Sequence, residues 1–191
     1  MANSKLIVVE GPQGTGKTTV TDFIRYSLNY TNLYRLCGTS DTSPTGLEKS
    51  TVMYENLINY IASLENQSIN LLFDRTFFTE EIYCRLGLKE YSFSEVFDKL
   101  ASRLNELDFD IYYINLYLED TSLFEKRLKR EGKVSPTYLK FSSENSIKQQ
   151  NCYLTLADEI QEKYPNIKVF KVSNDTTPEA LKEKIKEILK F

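Results

Sequence analysis

The chain has 191 residues, 41% hydrophobic and 27% charged, with a formal net charge of −3. That is the length and composition of one globular domain with a full core. The slight acidity speaks against a general nucleic-acid binder, and no apolar run nears the ~20 residues of a membrane span. Cys37, Cys84 and Cys152 are odd in number and widely spaced, which argues against a disulfide framework or zinc site and fits a reducing cytoplasmic setting. With no histidine, imidazole chemistry is unavailable.

The first predicted element is a buried strand, KLIVVE (5–10), ended by Gly11-Pro12. The stretch that follows, GPQGTGKT (11–18), matches G-x-x-x-x-G-K-[ST] in full. Glycines let the backbone wind around an oxyanion so that successive N–H groups point inward, and the next helix adds its positive end. Gly11, Pro12, Gln13, Gly14, Thr15, Gly16, Lys17, Thr18 and Thr19 are therefore read as the ATP cradle. Lys17 reaches the outer phosphates and stabilises charge at the transferring group, and the Thr18 hydroxyl ligates Mg²⁺. Val20, Phe23, Ile24 and Leu28 recur at helical spacing behind it.

A second strand is expected at 32–37, then the turn-rich GTSDTSPTG, then a helix over 47–64. The third strand, 69–74, ends LLFDRT. Asp74 can hold the magnesium shell, but its neighbour Arg75 cannot act as a base. An arginine can grip an anion bidentately, so this strand end is read as holding a second phosphate rather than activating water. No N-K-x-D element for guanine is present.

Residues 77–107 read as two helices broken near Gly87, and 110–118 as the fourth strand. In TSLFEKRLKR, Ser122 and Glu125 match a capping box. Arg127 and Arg130, three apart, share a helix face. Mobile arginines stabilise phosphoryl transfer and exclude water, so both are read as catalytic, although Glu125 and Glu131 could pair with them on an ordinary solvated helix. A helix at 143–163, a strand at 167–172 and a last helix opened by Thr177-Pro178-Glu179 complete the chain. Strands alternate with helices throughout, which predicts a three-layer α/β fold with a five-stranded parallel sheet, helices on both faces and a short lid at about 125–142.

These motifs resemble the thymidylate kinase family of P-loop nucleotide kinases over nearly the whole chain. EGPQGTGKTT, YRLCGT (34–39), DRTFFTEEIYCRLG (74–87), LEDTSLFEKRLKR and KVSNDTTPEAL each find a counterpart. The resemblance implies transfer of the γ-phosphoryl of ATP, with Mg²⁺, to a deoxynucleoside monophosphate. It places Arg35, Asp74, Arg75, Thr79 and Tyr83 at the acceptor, Asn174 near the adenine, and a homodimer through the middle helices. Gln13 stands where the family has an acid facing the sugar 3′-hydroxyl. The family's Phe…Arg reader of thymine has no counterpart; Tyr54 is the nearest stacking residue, with Phe78 a weaker one, and no arginine lies between Arg35 and Arg75. The base is therefore not carried over. The related deoxynucleoside kinases use a carboxylate after the second strand, for which Asp41 or Glu48 would serve. A nucleoside kinase, or a nucleotide-binding regulator or hydrolase without a small acceptor, remain the alternatives.

Overall fold

The computed structural model describes residues 4–130 and 142–191. Five strands, β1 (Lys5–Glu10), β2 (Thr31–Arg35), β3 (Asn70–Asp74), β4 (Asp110–Tyr117) and β5 (Ile167–Ser173), form one parallel sheet in the order β2-β3-β1-β4-β5. Seven helices cover it: α1 (Lys17–Ser27), α2 (Gly46–Ser63), α3 (Phe77–Arg85), α4 (Ser94–Asn105), α5 (Leu123–Arg130), α6 (Ser143–Lys163) and α7 (Pro178–Leu189). The expected class and nearly every element hold, with ends shifted by a residue or two.

The central strands read as unbroken apolar runs because both sheet faces are buried. Leu6 and Val8 of β1, with Ile111 and Tyr113 of β4, face one core under α2, α3, α4 and α6. Ile7, Val9, Ile114 and Leu116 face the other, under α1 and α7. The alternation puts Glu10 and its register partner Asn115 on the first of these faces, at the carboxyl end of the sheet. Order reverses between β1 and its two neighbours there, so the crevice for a ligand opens above β1 and β3.

Helix starts follow their sequence signals unevenly. Thr177 caps α7 by accepting from the Ala180 N–H at 3.3 Å, with Pro178 in the first turn. The capping box at α5 is not formed. The Ser122 hydroxyl donates instead to Asp120 Oδ1 at 2.6 Å, and Glu125 pairs with Lys129 along the helix. Asp120 sits two residues before Ser122, close enough to capture it in a local turn. Residues 131–141, which include Glu131 and most of the expected lid, lie outside the described residues. No helix among the described residues is long and apolar enough to cross a membrane.

Candidate active site

The phosphate loop joins β1 to α1 and is held from both sides. A Cβ on Gly11 (φ 140°) would run into the Leu116 carbonyl, and one on Gly16 (φ 89°) into the Asn174 amide. Glycine is required at both by the closeness of the neighbours as well as by the left-handed backbone. Asn174 Nδ2 donates to the Thr15 carbonyl at 2.8 Å, so the β5–α7 connection braces the loop. Lys17 Nζ donates to the Pro12 carbonyl at 2.8 Å, within the cradle it is expected to serve.

A cleft of about 840 Å³ opens over this loop, a size that suits a nucleotide-sized ligand. Lys17, Arg35, Arg75, Arg127 and Arg130 line it, with Asp74 the single carboxylate among the lining residues. Four separate segments contribute these cations: the phosphate loop, the end of β2, the end of β3, and α5. Gly14, Gly16, Thr18, Thr19 and Asn174 line the same cleft. Five converging positive charges in one partly enclosed space attract a polyanion.

Arg75 is the pivot of this arrangement. It follows β3 directly and takes φ 70°, a left-handed conformation that costs an arginine about 1 kcal/mol. Its N–H donates to the Val9 carbonyl at 3.2 Å, and its guanidinium donates to Gln13 Oε1 at 3.0 Å. Arg35, 46% exposed at the side chain, donates to Asp22 Oδ1 at 2.5 Å and lies 3.5 Å from Asp74 Oδ2. Two carboxylates thus hold Arg35 at the cleft edge.

Of the two carboxylates the sequence offered Arg127, Glu125 pairs with Lys129 and Glu131 lies outside the described residues; Arg127 itself reaches the phosphate loop. Its guanidinium donates to the carbonyls of Asn174 at 2.6 Å and Gly14 at 3.2 Å. With Phe124 packed beside Gly14, α5 lies directly over the phosphate loop.

Several predicted acceptor residues face inward. Tyr54 is 1% exposed and meets Phe77 and Phe93 in T-shaped contacts inside the core, so its ring is not open to the cleft. Phe78 is likewise core, against Phe77, Phe97 and Tyr113. Thr79 donates to Glu10 Oε2 at 2.6 Å and shares a 2.8 Å hydrogen bond with the Tyr153 hydroxyl. Tyr83 is half-buried; burial raises its hydroxyl above the usual range while neighbouring Arg75 pulls it down.

Two features were not read from the sequence as site residues, although Glu10 opens the EGPQGTGKTT motif. Glu10 is fully buried, and burial pushes its carboxyl up to about 7 against the opposing pull of hydrogen bonds from Thr79 and Thr76 and the charges of Arg75 and Lys17. Behind the β2–α2 loop lies a second buried carboxylate, Glu80, 3.2 Å from the buried Lys89 and accepting from the Tyr91 hydroxyl at 2.5 Å. Lys89 also donates to the Thr39 carbonyl at 2.7 Å, and the Glu90 N–H donates to the Thr42 carbonyl at 2.8 Å. The α3–α4 connection therefore fastens the loop that leads out of β2.

Asp41 is consumed by its own turn: Lys49, Ser43 and Thr45 surround its carboxylate and hold it well below its usual range. Glu48 is an exposed residue in the first turn of α2.

No family model matches the sequence, and no curated protein matches it. Solved structures do. A thymidylate kinase from Candida albicans superposes with a TM-score of 0.70 at 19% identity, over 100% of this chain and 92% of that one. The fold is that of the P-loop nucleotide kinases. The YorR protein from Bacillus subtilis, solved with phosphorylated GDP, gives 0.66 at 18% identity over 97% and 95% of the two chains. A deoxyadenosine kinase from M. mycoides gives 0.61 at 20% identity over 97% and 98%.

Proposed function

We propose that the protein is a nucleotide kinase that transfers the γ-phosphoryl of ATP to a deoxynucleoside monophosphate. The observation that carries this reading is the convergence of five cations from four segments on one cleft, with Arg35 and Arg75, from the ends of β2 and β3, added to those of the phosphate loop and α5. A lone triphosphate would need only the cradle and α5. Arginines at the ends of β2 and β3 suit a second phosphate, brought beside the first against their mutual repulsion.

In this reading the phosphate loop and Lys17 hold the donor, and Arg35 and Arg75 clamp the acceptor phosphate. One of its oxygens, already anionic, forms a bond to the γ-phosphorus while the bond from that phosphorus to the β–γ bridging oxygen breaks, releasing ADP. No general base is needed. Arg130 and Lys17 offset charge on the moving phosphoryl group, and Arg127 couples α5 to the loop beneath it. Thr18 and Asp74, which both line the cleft, would hold Mg²⁺ through one hydroxyl and one carboxylate. When bound, the metal supplies charge neutralisation between phosphates.

Of the two candidate bases for the nucleoside-kinase alternative, Asp41 is engaged by three partners in its own turn, which leaves Glu48 at the start of α2 as the carboxylate that reading would need. A coupled assay of ADP release across nucleosides and their monophosphates tests the proposal. Turnover is expected only with a deoxynucleoside monophosphate. Turnover with nucleosides alone, or without an acceptor, would replace this reading with one of the other two.

A further inference from the structure

We infer that Glu10 is a positioning residue for Arg75, acting by reach rather than by charge. The inference rests on the reading of Arg75 as the acceptor-phosphate ligand. Glu10 ends β1 immediately before the phosphate loop and is 0% exposed. All three hydrogen bonds it accepts come from the segment just after Arg75: the Thr76 N–H at 2.8 Å and the Thr76 hydroxyl at 3.2 Å on Oε1, and the Thr79 hydroxyl at 2.6 Å on Oε2.

The left-handed backbone of Arg75 is thereby fixed on both sides. Its own N–H is held by Val9 and the next N–H by Glu10, consecutive residues of β1. A conformation that is costly for arginine persists only when its surroundings over-determine it. Here the over-determination comes from β1, and the guanidinium is delivered to Gln13, a phosphate-loop residue three positions beyond Glu10. The Thr79–Tyr153 hydrogen bond extends the same brace to α6. Two cations, Arg75 and Lys17, share the field of Glu10, yet its hydrogen bonds go to neither, so the carboxylate is aimed at backbone and hydroxyl groups.

Reach and charge are separable. Glu10→Gln keeps the length and an oxygen for the Thr76 N–H but removes the charge. Glu10→Asp keeps the charge and withdraws the oxygens by one methylene. Positioning predicts that Glu10→Asp raises KM for the acceptor monophosphate at least tenfold while KM for ATP changes less than threefold, and that Glu10→Gln stays within threefold of wild type in both. The reverse order of the two variants, or equal rises in both KM values, overturns the inference. A second readout needs no catalysis: the ¹⁵N–¹H resonance of Arg75 Nε in nucleotide-free protein, assigned by its loss in Arg75→Lys. It is expected to move in Glu10→Asp and to stay within its wild-type envelope in Glu10→Gln; an unmoved signal in Glu10→Asp refutes the positioning role. If wild type transfers phosphoryl to no nucleotide, the kinase reading fails, and the resonance still decides the role of Glu10.

Discussion

The Arg75 guanidinium donates to Gln13 Oε1 at 3.0 Å, joining the end of β3 to the phosphate loop. The proposed acceptor arginine is therefore held in place by a residue of the donor cradle. A ligand phosphate entering between them exchanges a neutral amide partner for an anionic one.

Arg75→Ala should reduce kcat/KM for the acceptor by about 100-fold or more, the order expected for a lost charge-assisted hydrogen-bond pair of about 3 kcal/mol. Arg75→Lys should recover little, because an ammonium cannot reproduce the planar fork. Initial rates with varied acceptor at saturating ATP check both. Near-wild-type kinetics in Arg75→Ala would remove it from the site.

Arg127 and Arg130 should part company although they share α5. Arg127 donates to the Gly14 and Asn174 carbonyls, so Arg127→Ala should chiefly raise KM for ATP, by about tenfold for one or two such bonds at ~1 kcal/mol each. Arg130→Ala should lower kcat by about 100-fold or more if it meets the moving phosphoryl group. Two-substrate kinetics on the pair separate the roles. The same pattern in both variants would mean that α5 acts as one unit.

Glu10 should make stability fall as pH rises. Its folded carboxyl is raised to about 7 from an ordinary 4.5, so between those values the folded protein holds a proton that the unfolded chain has released. The contribution is complete below about pH 4.5 and is lost on rising through about pH 7, a change of order 3 kcal/mol. The difference in unfolding free energy between wild type and Glu10→Gln, measured in urea from pH 5 to 8, isolates it. A difference that stays flat across that range would contradict the assignment.

Lys89→Met should destabilise the fold by roughly 3 kcal/mol, because it strands the Glu80 carboxylate in a buried site. It should also loosen the turn after β2, since Lys89 holds the Thr39 carbonyl. Urea unfolding is expected to show a lower midpoint at unchanged slope. A loss below about 1 kcal/mol would indicate that Tyr91 and Ser50 satisfy Glu80 without it.

The strands were legible because buried parallel strands are short apolar runs, and the strand–loop–helix turn at residues 11–17 because its glycines mark where the backbone must wind tightly. The acceptor side was harder. Tyr54 and Phe78 carry rings suited to stacking, yet a ring that packs a core and a ring that stacks a base look alike in sequence; here both rings are buried against Phe77, Phe93 and Phe97. Thr79 aligns with a site residue by motif, but its hydroxyl turns toward Glu10. The capping box at Ser122 lost to a nearer partner, Asp120. Glu80 and Lys89 meet only because the chain doubles back after α3, which no periodicity encodes.

β2 carries Arg35 and is the outermost strand on its side of the sheet, paired with β3 alone and mostly half-buried, whereas β1 before the donor loop is walled in by strands on both sides. Amide hydrogen exchange should therefore be graded across the cleft, fastest at Asn32–Arg35 and slowest at Leu6–Val9, because a marginal strand opens at a fraction of the global unfolding energy. Such a gradient would leave the β2 side of the pocket, proposed for the acceptor, free to be reshaped by fluctuation or by substitution, while the phosphate-loop side stays rigid.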